Sequence, residues 1–281
     1  MSHISFGREL ASVLLKVFGV ILTLVLIVAM VGVFSFSFSS ISDGTCNIAV
    51  IPIDGIIMPF GHGYEFAEFT TTPSDVRDFL ALAEADLFIE GIMFEINSPG
   101  GTPVAAADIM EQIQALELPN VSLVGDIAAS GGYMVASAAD RVLASAMSDV
   151  GSIGVTMSYV EESEKNKEEG LTYVPLNSGK YKDIGSPNKP LSAEERAYLE
   201  SEIKLVHEEF IKIVATNRNL STEAVTKLAD GSSMVGSRAL ENKLVDEIGN
   251  RNSVRQYFAD TLGKDSKDIS FCEYVTPSPY L

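Results

Sequence analysis

A chain of 281 residues with 38 acidic and 20 basic side chains, net charge −18, is long enough for one large domain or two small ones. That charge repels phosphate backbones and anionic lipid heads, which excludes nucleic acid as a partner. Two cysteines, three histidines and no Cys/His cluster at ligand spacing give no metal site and no cofactor.

Val17 to Phe38 holds no charged residue. About 20 apolar residues span the hydrocarbon core of a bilayer, so residues 17–38 are expected to form a single transmembrane helix after a short N-terminus, 1–16. The apolar core of a cleavable signal peptide is shorter, about 7–15 residues, and no clear small-x-small site follows, so the span reads as an uncleaved anchor. Arg8 and Lys16 before it favour a cytoplasmic N-terminus and an extracytoplasmic remainder. Arg8, Lys16 and Glu9 are the charges before residue 40, which leaves 18 basic and 37 acidic side chains after it, net −19. Cys46 and Cys272 could pair outside the cytoplasm, but two are too few for a disulfide framework; the plain reading is two half-buried thiols.

After a linker at 39–46, a soluble domain is expected over 47–262, followed by a flexible tail, 263–281. Residues 47–58 read as strand, turn, strand, and 59–72 as an irregular loop. Ser74 is positioned as the N-cap of a helix with an apolar face at Phe79, Leu80, Leu82 and Ala83. A buried strand ends at Ser98-Pro99-Gly100-Gly101, and a helix follows from Thr102 or Pro103 to about Leu116. The strand 121–127 leads into Ser130-Gly131-Gly132, then a helix, a strand and a second turn, Gly151-Ser152-Ile153-Gly154-Val155. Residues 161–170 read as an exposed helix and 172–176 as a strand. Ser192 caps a long amphipathic helix, 193–218, with apolar positions at Leu199, Ile203, Val206, Phe210, Ile213 and Val214. Shorter helices are expected at 221–229, 236–241 and 253–262, with a strand-like closure at 244–249. Strands alternating with helices at this spacing give an α/β fold with parallel β-α units. In such sheets ligands bind beyond the carboxyl ends of the strands, where both Gly-rich turns fall.

Ser130 is the candidate nucleophile: a hydroxyl at the mouth of a helix among residues too small to cover it. It needs a base. His3 precedes the anchor, His207 sits on the long helix beside Glu208 and Glu209, and His62 is the one histidine the sequence leaves open. The other base is a lysine, neutral through burial. Lys180 and Lys182, two residues apart in a Gly/Ser-rich turn, are equal candidates on spacing. Backbone N–H groups at Gly131 and Gly101 are placed to hold an oxyanion, and Ser152 to orient a lysine. Each of these motifs taken singly is also an ordinary turn.

Taken together, the N-terminal anchor, INSPGG, AASGGYMVASAAD, GSIGV and SGKYKDIGSP, in that order, resemble the signal peptide peptidases of the SppA type, the protease IV group of membrane-bound serine peptidases. The resemblance covers about residues 47–249. It implies a ClpP/crotonase-type spiral of β-β-α units, Ser130 as nucleophile and Lys182 as general base. It also implies Ser152 as the lysine-orienting serine, and Gly131 with Gly101 as oxyanion donors. A homo-oligomeric ring, in which sites can be shared between subunits, and hydrophobic remnant signal peptides as substrates follow from the same likeness. So does a cell-membrane location. A peptidase acting on one membrane partner protein, a crotonase-type acyl-CoA enzyme and a non-catalytic tethered scaffold are the alternatives.

Overall fold

The structure, a computed structural model, describes residues 16–23, 46–60 and 70–274. The chain divides into two units, Met1–Asp43 and Gly44–Leu281. In the first, residues 16–23 are helical (α1), overlapping the start of the stretch expected as the anchor; residues 24–38 of that stretch lie outside the described residues. Among the described residues no helix is long and apolar enough to cross a membrane.

The second unit is built on a parallel sheet. Its strands β1 (Ile48–Ile57), β2 (Thr70–Thr71), β3 (Gly91–Gly101), β4 (Asn120–Ala129), β5 (Arg141–Ala144) and β8 (Glu247–Ile248) run in the order β2-β1-β3-β4-β5-β8. β6 (Asp149–Gly151) pairs with β4 and, antiparallel, with β7 (Ser233–Val235). β9 (Phe271–Glu273) adds to the amino-terminal half of β1. Between the strands lie α2 (Pro73–Ala85), α3 (Pro103–Gln114) and α4 (Gly131–Ala136). Then come α5 (Ser163–Glu168), α6 (Ala193–Asn217), α7 (Thr222–Thr226), α8 (Gly236–Glu241) and α9 (Arg251–Leu262).

Side chains alternate across a strand, so a parallel strand buried on both faces reads as a continuous apolar run. β1 is such a run. Ile51 and Ile53 join Phe94 and Ile96 of β3, Phe79 of α2, Ile109 of α3 and Val214 of α6 on one face. On the other, Val50 joins Met93, Leu123 and Phe258 of α9. The sheet thus lies between two helical layers, the expected α/β class.

Several boundaries differ from the sequence reading. Residues 48–57 form one strand and not two, because Gly55 takes φ 68° and absorbs a register shift without ending the pairing with β3. The N-cap of α2 is Thr72, not Ser74: Thr72 and Asp75 exchange side-chain and backbone hydrogen bonds, and Pro73 fills the first turn. Leu82 is exposed, and Val76 takes its place on the buried face. Residues 172–176 form no strand, and Val174 and Leu176 stand exposed. In α6 only the carboxyl half is buried on the core, at Phe210, Ile211, Val214 and Ala215.

The two cysteines are not free thiols. Cys46 and Cys272 form a disulfide, with Cα atoms 5.6 Å apart, across a sequence separation of 226 residues. β9, inside the stretch read as tail, is therefore bonded to the start of the domain. The neighbouring Asn47 side chain reinforces the junction, donating to Glu90 and to the Asp268 carbonyl and accepting from Ser270 N–H. A crosslink that closes so long a loop removes entropy from the unfolded chain. Replacing both cysteines by serine is expected to lower the unfolding free energy by about 2–4 kcal/mol. Urea unfolding with and without reductant measures this, and coincident transitions would mean that strand pairing alone holds β9.

Candidate active site

The site forms where the sheet divides. β4 pairs with β5 over Val121–Val124, then leaves it and pairs with β6 over Ile127–Ala129. At the divide, Asp126 N–H donates to the Asn97 side-chain oxygen (2.7 Å), which ties the bend in β4 to the register shift in β3 between Ile96 and Ser98. Both strands then end beside each other, one in Ser98-Pro99-Gly100-Gly101 and the other in Ser130-Gly131-Gly132.

The two ends meet backbone to backbone. A Cβ on Gly100, whose φ is +102°, would lie 2.7 Å from Gly131 N. One on Gly101 would lie 1.9 Å from the Ile57 carbonyl oxygen, and one on Gly132 would lie 2.5 Å from the Ser98 carbonyl oxygen. Only residues without a side chain allow this approach. Ser98, fully buried, fixes the first turn: its hydroxyl donates to the Gly55 carbonyl (2.6 Å) and accepts from Gly100 N–H (3.1 Å).

Ser130 is the N-cap residue of α4, at φ 52° and ψ −125°. A residue with a Cβ rarely adopts that conformation, and holding it costs of order 1–3 kcal/mol. The surroundings impose it: Ser130 N–H donates to the Gly151 carbonyl (2.8 Å), and the Ser130 carbonyl accepts from Tyr133 and Met134 (3.0 Å each). Tyr133, fully buried, donates its hydroxyl to the Leu244 carbonyl (2.8 Å) and anchors α4 to the body of the domain. Burial pushes that phenol well above its ordinary pKa, so it stays protonated.

A cleft of about 490 Å³ opens in front of Ser130. Gly101, Gly131 and Ser152 line it together with Ser130, so four of the five residues that the family resemblance implies converge. As the first residue of α4, Gly131 has no intrahelical partner for its N–H. A Cβ on Gly131 would sit 3.3 Å from Gly101 N, so the two peptide nitrogens are close neighbours. Ser152, at φ 50°, donates its hydroxyl to the Gly231 carbonyl (3.1 Å). The opposite wall is apolar, with Met134 of α4, Val155, and Val206 and Phe210 of α6. The sequence reading missed that wall; the 3–4 spacing of Val206 and Phe210 was visible, but not which part of α6 would face the site.

The fifth residue stands elsewhere. Lys182 is exposed in the turn before α6 and is not among the residues lining the cleft. Among the described residues its ammonium makes no ion pair and no side-chain hydrogen bond. Lys180, equal to it on spacing, is paired with Glu194, which raises its pKa, chiefly through that hydrogen bond. The burial expected of a lysine base is thus not supplied within this one chain. His207 does not line the cleft; its Nε2 is buried with no partner among the described residues. His3 and His62 lie outside the described residues.

The profile described as Peptidase family S49 matches residues 112–264, more than half of the chain and inclusive of Ser130, Ser152 and Lys182. The chain belongs to peptidase family S49. It is 31% identical, over 84% of its length and 69% of the other's, to an Enterococcus faecium protein provisionally named signal peptide peptidase SppA. It is 31% identical to Protease 4 of Haemophilus influenzae and 32% identical to Protease 4 of Salmonella typhi. These matches cover 73% and 77% of this chain but only 33% and 35% of those longer proteins. As an S49 peptidase the chain needs a nucleophile and donors for an oxyanion, and the cleft holds residues able to serve as both.

If Ser130 is held in its conformation for chemistry and not for stability, Ser130→Gly should unfold later than the wild type, by about 1 kcal/mol, since glycine accepts that backbone freely. Denaturant midpoints test this; a less stable variant would mean that the Ser130 side chain contributes more to folding than its backbone costs.

Proposed function

We propose that this S49 peptidase is a membrane-tethered serine endopeptidase with a Ser/Lys dyad, of the ClpP/crotonase-type spiral fold, that degrades hydrophobic peptides such as signal peptide remnants. Ser130 Oγ attacks the scissile carbonyl as Lys182, neutral, takes its proton. The N–H groups of Gly101 and Gly131 stabilise the tetrahedral oxyanion, a contribution that removal of a single donor reduces by about 10²–10³-fold in other hydrolases. Lys182 then passes its proton to the leaving amine and serves as base again when water attacks the acyl-enzyme. Ser152 orients the lysine in this scheme.

The observation that carries the reading is Ser130 itself: a strained serine facing an apolar cleft, with two backbone nitrogens beside it. The state of the two lysines supports Lys182 over Lys180, since an amine hydrogen-bonded to a carboxylate is held charged. Because Lys182 does not reach its own chain's cleft, we assign it to the cleft of a neighbouring copy in a ring, where burial would lower its pKa. The disulfide supports an oxidising compartment, and with the uncharged stretch 17–38 it favours a cell-membrane anchor and an extracytoplasmic domain. The apolar wall at Met134, Val206 and Phe210 suits a hydrophobic substrate side chain.

Ser130→Ala and Lys182→Met are each expected to abolish cleavage of apolar peptides and labelling by a fluorophosphonate probe, whereas Lys180→Met keeps most of both. Retained cleavage in Lys182→Met would remove it as the base. Co-assembly of the two inactive variants should restore activity to about a quarter of the wild type, because random mixing sets an intact Ser130 beside an intact Lys182 at one junction in four. No recovery in a mixed assembly would place both groups in one chain. Probe labelling should rise with pH as the base loses its proton. Peptide profiling separates broad cleavage from a single cut in one partner protein.

A further inference from the structure

The turn that carries Lys182 has no regular secondary structure, yet both neighbours of that lysine are held on α6. On one side Tyr181 stacks on Tyr198, with ring centroids 4.9 Å apart and planes within 11°, and its hydroxyl donates to Glu194 (3.0 Å). On the other, Asp183 accepts from the ammonium of Lys189 (3.1 Å), which also donates to Glu195 (2.6 Å). These three charged side chains are largely withdrawn from water, with exposures of 25% for Lys189, 11% for Asp183 and 9% for Glu195. Glu195 additionally accepts from Ser192 N–H (2.9 Å), closing the capping box of α6. One carboxylate therefore caps the helix and holds the lysine that reaches back to the residue after Lys182.

Capping alone would need only Ser192 and Glu195. The arm through Lys189 to Asp183 adds nothing to the helix end; what it fixes is the turn. Ordering a turn costs backbone entropy, and a withdrawn ion triad is a demanding way to offset it. Between the two anchors, Lys182 is left exposed, with its side chain unpartnered among the described residues.

We propose that Lys189 is a positioning residue for the general base: clamped between Asp183 and Glu195, it locks the turn on α6 so that Lys182 is presented in a single orientation. The inference rests on the reading of Lys182 as the base. The triad does not titrate where the enzyme would work. The Lys189 hydrogen bond holds the Glu195 carboxyl down at about 2 and lowers that of Asp183, while Glu195, with Asp183, raises that of Lys189. Close by, Lys180 and Glu194 are paired with each other, and Arg196 is paired with Glu200 along α6. A pH dependence of turnover at neutral to alkaline pH then reports Lys182 and not its clamp.

The test is kcat and KM against pH for the full-length protein on a fluorogenic apolar peptide, in wild type, Lys189→Met, Lys189→Arg and Lys182→Met. A loosened turn misplaces the base and leaves it more hydrated, so Lys189→Met should lose about 10–100-fold in kcat, with KM changed less than about twofold. Its pH midpoint should move upward, towards the ordinary lysine value. Lys189→Arg, which keeps both ion pairs, should restore the rate and the midpoint. Should Lys189→Met fail to fold, Asp183→Asn, nearly the same shape, is expected to show the same loss and the same upward shift. A folded variant with unchanged kcat, or with reduced kcat at an unchanged midpoint, would overturn the positioning role alone. Turnover in Lys182→Met would overturn the base reading, and the positioning role with it.

Discussion

Two stretches of main chain, 98–101 and 130–132, press against each other with no room for a side chain between them, and the site depends on that contact. It brings the peptide nitrogens of Gly101 and Gly131 side by side and puts Ser130 at the mouth of the cleft. Three features sustain it: Ser98 pins the first stretch to β1, Gly151 pins Ser130 N–H, and the division of the sheet turns both strand ends to the same side. The backbone strain at Ser130 persists because each of these is fixed independently by the core.

Around this centre the domain is closed at its other end. The amino-terminal half of β1 receives β9, and the disulfide between Cys46 and Cys272 joins the segment just before β1 to β9. Stability is thus invested at the amino edge of the sheet, and strain at the carboxyl edge. The acidic surface stands outside both; most of its ion pairs are exposed, where each contributes little. Asp183–Lys189–Glu195 is an exception, a withdrawn cluster that joins a stretch without regular structure to the start of α6.

Membership of family S49 accounts for a cleft with a serine and backbone nitrogens in it. It does not account for an exposed lysine held at both neighbours and not among the residues that line the cleft of its own chain. A site divided between copies would reconcile the two, since assembly would then supply both the proximity and the dryness that a neutral amine requires.

Much of this was legible in the residues. The alternation of strands and helices gave the α/β class, the glycine doublets marked the strand ends, and Ser192 announced the start of α6. Those features are local: periodicity, caps and turns depend on residues a few positions apart. Other features depended on partners far along the chain. Cys46 meets Cys272 and β9 meets β1 only because the sheet brings residues more than 220 positions apart into one plane. Lys180 and Lys182 look alike in sequence and part company only when Glu194 takes one of them. The sequence by itself determined most of the strands and helices and which hydroxyl stands at a turn, because backbone preference and hydrophobic period are written residue by residue. Only the tertiary structure decided which groups share the cleft, which cation is already paired and where the chain is crosslinked, because proximity in a packed sheet is set by register and crossover, not by distance along the chain.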